Sequence, residues 1–150
     1  MPKFLTSRGD YGLLLTVFLA DYSRYEPKPI SEIASFFNLP QAFLEQIALD
    51  LRRAHLVSAR RGKDGGYFLT REPNRISVIE VIEAAEGPLQ IVTCQRGECA
   101  SSPKCTTRDF WLVLQKHIHR TLREITLADL VKQSPHKLLP LSVKNERKNS

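Results

Sequence analysis

Two short helical repeats three residues apart, followed at once by a glycine-rich basic hairpin, leave few folds open to residues 31–70 of this 150-residue chain. The first repeat, SEIASFFN, puts Ile33, Ala34 and Phe37 on one face, with Ser31 as its expected N-cap. Asn38 suits a left-handed C-terminal cap, and Pro40 suits the first turn of the next helix. That helix is expected over residues 41–54, burying Phe43, Leu44, Ile47, Ala48 and Leu51. Its other faces carry Gln41, Glu45, Gln46, Asp50, Arg52 and Arg53. Two helices across so short a turn, the second polar on its outside, form a helix-turn-helix.

Residues 56–60 and 67–70 read as two short strands, and RGKDGG between them supplies an Asp64-Gly65 turn. Helix, turn, helix, basic hairpin is the order of a winged helix-turn-helix: mainly α, with a small β-hairpin wing. Arg60, Arg61 and Lys63 fall at the wing tip, where a basic loop reaches phosphates or the minor groove. A solvated hairpin would carry the same charges, and the preceding helix pair decides for the wing. The net charge of +6, from 22 basic against 16 acidic residues, agrees with an anionic partner, of which nucleic acid is the commonest.

Helices flank this unit. The first is expected to begin at Ser7, with Ser7-x-x-Asp10 as a capping box and Tyr11, Leu14, Leu15, Phe18 and Leu19 recurring at helical spacing. It should end near residues 22–25, before Pro27 and Pro29. Ser77-x-x-Glu80 opens another through Val78, Val81, Ile82 and Ala85, closed by Gly87-Pro88. Thr106-x-x-Asp109 is expected to start the longest amphipathic stretch, with Phe110, Trp111, Leu114, Ile118, Leu122 and Ile125 on one side. That stripe completes the chain's own core or pairs with a second subunit. The two-fold habit of helix-turn-helix proteins favours a long C-terminal dimerisation helix. Thr126-x-x-Asp129 opens a last short helix. The expected division is a DNA-binding unit at 1–75, a helix, cysteine loop and dimerisation helix at 76–134, and a flexible basic tail at 135–150.

No stretch approaches the roughly 20 apolar residues that span a bilayer, and no small-x-small cleavage site follows the apolar run at 11–20. A cytoplasmic protein with no membrane partner is expected. All three cysteines lie in CQRGECASSPKC, spaced C-x4-C-x5-C, where Gly97 and Pro103 make a loop. An odd number in a reducing compartment argues for metal or redox chemistry over disulfides. Three thiols on one loop can converge on a soft metal centre. Zinc lacks its usual C-x2-C spacing here. A metal-free thiol switch is the other alternative, since Arg96, Lys104 and Arg108 would favour thiolates. An enzyme is not expected: no nucleophile has an adjacent base, and GKDGG lacks the strand-to-helix context of a phosphate loop.

In order along the chain, LTSRGDYG, FLEQIALDLRRAHLVSARRGKDGGYFL, VIEVIEAAEGP, the cysteine loop and ITLADLV resemble the IscR/NsrR/CymR-type winged-helix transcription regulators of bacteria. The resemblance spans about residues 2–134, and Leu-Val-x-x-x-Arg-Gly-x-x-Gly-Gly-Tyr is its most specific part. It implies a homodimer on a palindromic double-stranded DNA operator, with the helix after the cysteine loop crossing to the partner. By position, Glu45 and Gln46 match reading-helix residues near bases, and Arg61 matches a wing arginine entering the minor groove. Their chemistry agrees. Gln41 and Gln46 can donate and accept at an adenine edge, and Glu45 can accept from a cytosine amino group. Arg61 would favour a narrow, negative minor groove.

By the same resemblance Cys94, Cys99 and Cys105 hold an iron–sulfur cluster, 2Fe–2S being favoured over 4Fe–4S. The family's usual fourth ligand is a histidine three residues after the last cysteine. Arg108 stands there in this chain and cannot ligate. The first spacing is also four residues where the best-known members have five. Asp10, at a position where a nitric-oxide-sensing branch uses an acidic residue, and Asp109 are the candidate fourth ligands, each set against its expected capping role. Water or a small thiol could fill the position instead. The expected function is a DNA-binding transcriptional regulator sensing iron–sulfur status, redox or nitric oxide. The alternatives are a cluster-free thiol-switch regulator and a small iron–sulfur carrier or assembly protein.

Overall fold

A computed structural model of the protein describes residues 5–92 and 104–132. Its elements are α1 (Ser7–Ala20), α2 (Ile30–Phe37), α3 (Gln41–Arg53), β1 (Val57–Arg60), β2 (Gly66–Leu69), a 3-10 turn at Pro73–Arg75, α4 (Val78–Glu86), α5 (Arg108–Glu124) and α6 (Leu127–Val131). The result is the expected winged helix: a mainly helical fold with one antiparallel hairpin. Cys94 and Cys99, together with residues 133–150, lie outside the described residues.

The core forms where the apolar stripes converge. Leu15, Phe18 and Leu19 of α1 meet Ile33 and Ala34 of α2, Leu44, Ile47, Ala48 and Leu51 of α3, and Val81 and Ala85 of α4. Each fully buried aliphatic side chain here contributes about 1.5–3 kcal/mol. α1 and α4 approach so closely that a Cβ on Gly12 would sit 3.2 Å from the Cβ of Ala85. Leu127 of α6 enters the same core. It is steered there by a short backbone pairing, in which the Val78 N–H donates to the Ile125 carbonyl at 2.8 Å and the Leu127 N–H to the Ile76 carbonyl at 3.0 Å.

The helix-turn-helix turns at Asn38, whose φ of 53° and ψ of 49° make it the expected left-handed cap of α2. At the other end of α2 the N-cap is Pro29, with no side-chain cap, and not Ser31. The reason lies in the wing. Lys28 pairs with Tyr67, each N–H donating to the other's carbonyl at 2.9 and 2.8 Å, so the chain enters α2 as a third strand-like segment. The hairpin register runs from Val57 opposite Leu69 to Arg60 opposite Gly66. Gly66 has φ +153°, and a Cβ there would lie 2.3 Å from the Lys28 carbonyl carbon. Only glycine fits that crossing.

Four capping boxes were expected from the sequence and two form. Ser77 with Glu80, and Thr126 with Asp129, exchange both bonds. Ser7 and Asp10 do not, because α1 is capped by Thr6, whose hydroxyl accepts from the Arg8 N–H at 3.2 Å. Thr106 and Asp109 do not either: α5 is preceded by Thr107, which makes no side-chain cap bond. α1 also ends at Ala20, slightly earlier than the expected 22–25.

Candidate nucleic-acid interface and thiol site

The fold presents α3 as its outward helix. Leu44, Ile47, Ala48 and Leu51 hold its inner face, which leaves Gln41, Glu45, Gln46, Arg52 and Arg53 exposed. On that outer face the Gln41 Nε2 donates to the Glu45 Oε1 at 2.9 Å, so the two side chains are ordered together. Leu49, 44% exposed, adds an apolar contact surface among them. The wing residues Arg60, Arg61 and Lys63 are exposed as well. Arg60 stacks over the Phe68 ring at 5.8 Å from the centroid, and a turn from the Gly62 carbonyl to the Gly65 N–H, 3.1 Å, carries Lys63 and Asp64 at the tip.

Of the three cysteines, Cys105 falls within the described residues. It is partly exposed, three residues before the first residue of α5, with its Sγ 3.5 Å from the Thr107 hydroxyl. Hydrogen bonding from the Thr107 side chain, then from its N–H, lowers the thiol pKa below the ordinary value. The Arg108 N–H and charge add to this. The thiolate is the form that ligates soft metals and the form that oxidises, so Cys105 fits the donor chemistry of an iron–sulfur ligand. Asp10 and Asp109 are exposed in the first turns of α1 and α5, released from the capping roles expected of them. Among the described residues no three acidic, histidine or cysteine side chains gather into a metal site.

The helix after the loop uses its apolar stripe in two ways. Ile118, Leu122 and Ile125 pack on Val78, Ile82 and Leu89. Leu114 and Trp111 are half-buried, whereas Phe110 is 60% and Val113 55% exposed. Leu5, Ile82, Leu89, Leu114, Ile118 and Leu122 line an apolar cavity of about 440 Å³ open to one side.

Several residues of consequence escaped the sequence. Gln115 is the one buried residue of α5: its Oε1 accepts from the Ile91 N–H at 2.7 Å and its Nε2 donates to the Leu89 carbonyl at 2.5 Å. His119, one turn further along α5, places its Nε2 2.8 Å from that same carbonyl. α5 therefore holds the chain on its way into the cysteine segment as well as at its exit. Arg8 of α1 forms an ion pair with Asp50 of α3 and donates from Nε to the Ala85 carbonyl at 2.9 Å. Glu86 Oε1 accepts from the Thr6 N–H, the Thr6 hydroxyl and the Gly9 N–H at 2.6, 2.5 and 2.7 Å. A carboxylate next to Gly87-Pro88 carries no local sign of such a role.

Comparison with known proteins agrees with this geometry. The profile of Rrf2, described as an iron-dependent transcriptional regulator, matches residues 5–133. The HTH-type transcriptional regulator IscR of Xenorhabdus nematophila is 36% identical over 129 residues, covering 85% of this chain and 79% of that protein. The structure of CymR, the global cysteine regulator of B. subtilis, superposes with a TM-score of 0.77 at 32% identity, covering 89% of this chain and 99% of that one. That of IscR from T. potens gives a TM-score of 0.70 at 32% identity, covering 89% of each. These relatives are transcriptional regulators, not enzymes.

Proposed function

The chain belongs to the Rrf2 family, DNA-binding transcriptional regulators of the IscR type, and from that premise we propose that it is a cytoplasmic homodimer that reads a palindromic operator and senses iron–sulfur status, redox or nitric oxide through Cys94, Cys99 and Cys105. In this reading residues 1–75 bind DNA, with Gln41, Glu45 and Gln46 at base edges and Arg60, Arg61 and Lys63 at phosphates and the minor groove. Residues 76–134 carry sensing and pairing. The half-buried apolar stripe of α5, with Phe110 and Val113 exposed and Leu114, Ile118 and Leu122 lining the open apolar cavity, supports a second copy covering that face.

The observation that carries the sensing role is the Cys105 thiol, held toward its anion by Thr107 and Arg108 directly before α5. Cys94, Cys99 and Cys105 would hold the cluster, and Asp10, Asp109, water or a small thiol would complete its ligands. A bound iron–sulfur cluster supplies an iron-dependent, redox-active centre. The chain's own part is to tie that segment to both neighbouring helices. Gln115 fixes its start to α5, and α4 runs directly into it through Gly87. A change in the segment then biases how α4 and α5 sit, which is a population shift and not a new fold.

A second reading, a cluster-free thiol switch, is favoured by the same low Cys105 thiol and by the likeness to CymR. Anaerobic purification with a visible absorption spectrum and iron, sulfide and zinc analysis separates the two. Coloured protein holding iron and sulfide supports the cluster. Colourless metal-free protein that changes its DNA binding on oxidation supports the switch, and colourless zinc protein overturns both.

A further inference from the structure

Between the end of α4, from which the chain continues into the proposed sensing segment, and the proposed reading helix lies one residue that touches both helices. Arg8 sits in the first turn of α1, partly buried, and its guanidinium is used in three directions. Its Nε donates to the carbonyl of Ala85 at 2.9 Å. Its Nη2 pairs with the Asp50 carboxylate. Its carbon centre lies 5.6 Å from the centroid of the Phe43 ring. Ala85 and Glu86 are the last residues of α4, and Gly87, at φ 88°, ends the helix seven positions before Cys94. Asp50 and Phe43 are both on α3, seven positions or about two helical turns apart. One side chain thus spans the end of α4 and two points along α3.

We propose that Arg8 is the positioning residue that couples the state of the cysteine segment to the orientation of α3. This rests on the sensing role proposed above. Glu86 makes the attachment two-sided, since the residue after Ala85 takes the Thr6 and Gly9 N–H groups of α1. A shift at the end of α4 therefore moves the first turn of α1 and, through Arg8, pulls on α3. Asp50 is the lever arm on that helix: Arg8 binds its Oδ2, and its Oδ1 accepts from Arg53 at 3.2 Å. Gln46 precedes Asp50 by one turn. A planar guanidinium can serve a carbonyl, a carboxylate and a ring face at once, whereas a lysine ammonium cannot.

The test compares cluster-loaded and cluster-free full-length protein on a fluorescent fragment of its own promoter at one salt concentration. The quantity read is the ratio of the two affinities. Wild type should show a ratio of about tenfold or more, within the usual range of allosteric coupling. Arg8→Lys and Asp50→Asn should each bring the ratio to about twofold or less, and the double variant should lose nothing further. Iron content should stay at the wild-type level. Amide exchange across α3 gives a second readout: it should differ between the two forms in wild type and become the same in both variants. A ratio preserved in both variants, with both affinities shifted by one common factor, makes Arg8 merely structural and overturns the proposal. A ratio of one in wild type itself removes the sensing role and this coupling with it.

Discussion

Glu86, the last residue of α4, accepts the backbone N–H of Thr6 at 2.6 Å and so caps a helix whose N-cap residue lies eighty positions earlier in the chain. The same oxygen takes the Thr6 hydroxyl and the Gly9 N–H. One carboxylate thereby satisfies donors that helix geometry leaves without partners. Glu86→Ala should cost about 1–3 kcal/mol of stability, measured by urea unfolding. Glu86→Gln, which keeps one carbonyl acceptor, should cost less.

That contact also marks where the sequence stops being legible. Ser77 with Glu80 and Thr126 with Asp129 form their boxes because each partner is three residues away, and in each box one carboxylate oxygen takes both the N-cap N–H and the N-cap hydroxyl. Ser7 with Asp10 had the same spacing and failed, since Thr6 and the distant Glu86 already supply the acceptors at that end of α1. The helix-turn-helix and the wing were readable because apolar periodicity and glycine placement are local signals. Arg8 with Asp50, and Gln115 with Leu89 and Ile91, were not, because each joins segments that only tertiary packing brings together. Gln115 reads as one polar break in an amphipathic stretch, yet it is the buried anchor of the helix.

The two proposed DNA-contacting groups should fail in different ways. Arg61→Ala removes a wing cation and should weaken operator binding by about 1–3 kcal/mol while lowering the salt slope by about one. Gln46→Ala removes a base-edge partner on α3. It should relax discrimination between operator variants and leave the salt slope unchanged. Anisotropy titrations over a salt series on matched and mismatched fragments read both effects.

In metal-free reduced protein, Cys105 should alkylate at a lower pH than an ordinary thiol, which ionises near 8.5. The lowered pKa places its thiolate at lower pH, and Thr107 is the largest cause. Thr107→Val should therefore move the midpoint of the rate–pH profile upward. Iodoacetamide labelling followed by peptide mass spectrometry reads Cys105 separately from the other two cysteines.

Glu80 makes stability depend on pH in the acid range. Burial would raise its pKa, but hydrogen bonds from the Ser77 N–H, the Arg71 guanidinium and the Ser77 hydroxyl lower it below the ordinary carboxylate value. A carboxyl depressed by folding contributes stability that is full above its unfolded pKa, about 4.3, and is lost as the pH falls through its folded value. Glu80→Gln should flatten that part of the profile and leave the slope near neutral pH alone, as followed by thermal unfolding at a series of pH values.

In the proposed function the cysteine segment governs DNA binding. Its most direct test is the affinity of wild-type protein for its own promoter, measured anaerobically at one salt concentration with the cluster in place and after its removal. The two affinities should differ by about tenfold or more. Equal affinities in the two forms would contradict it.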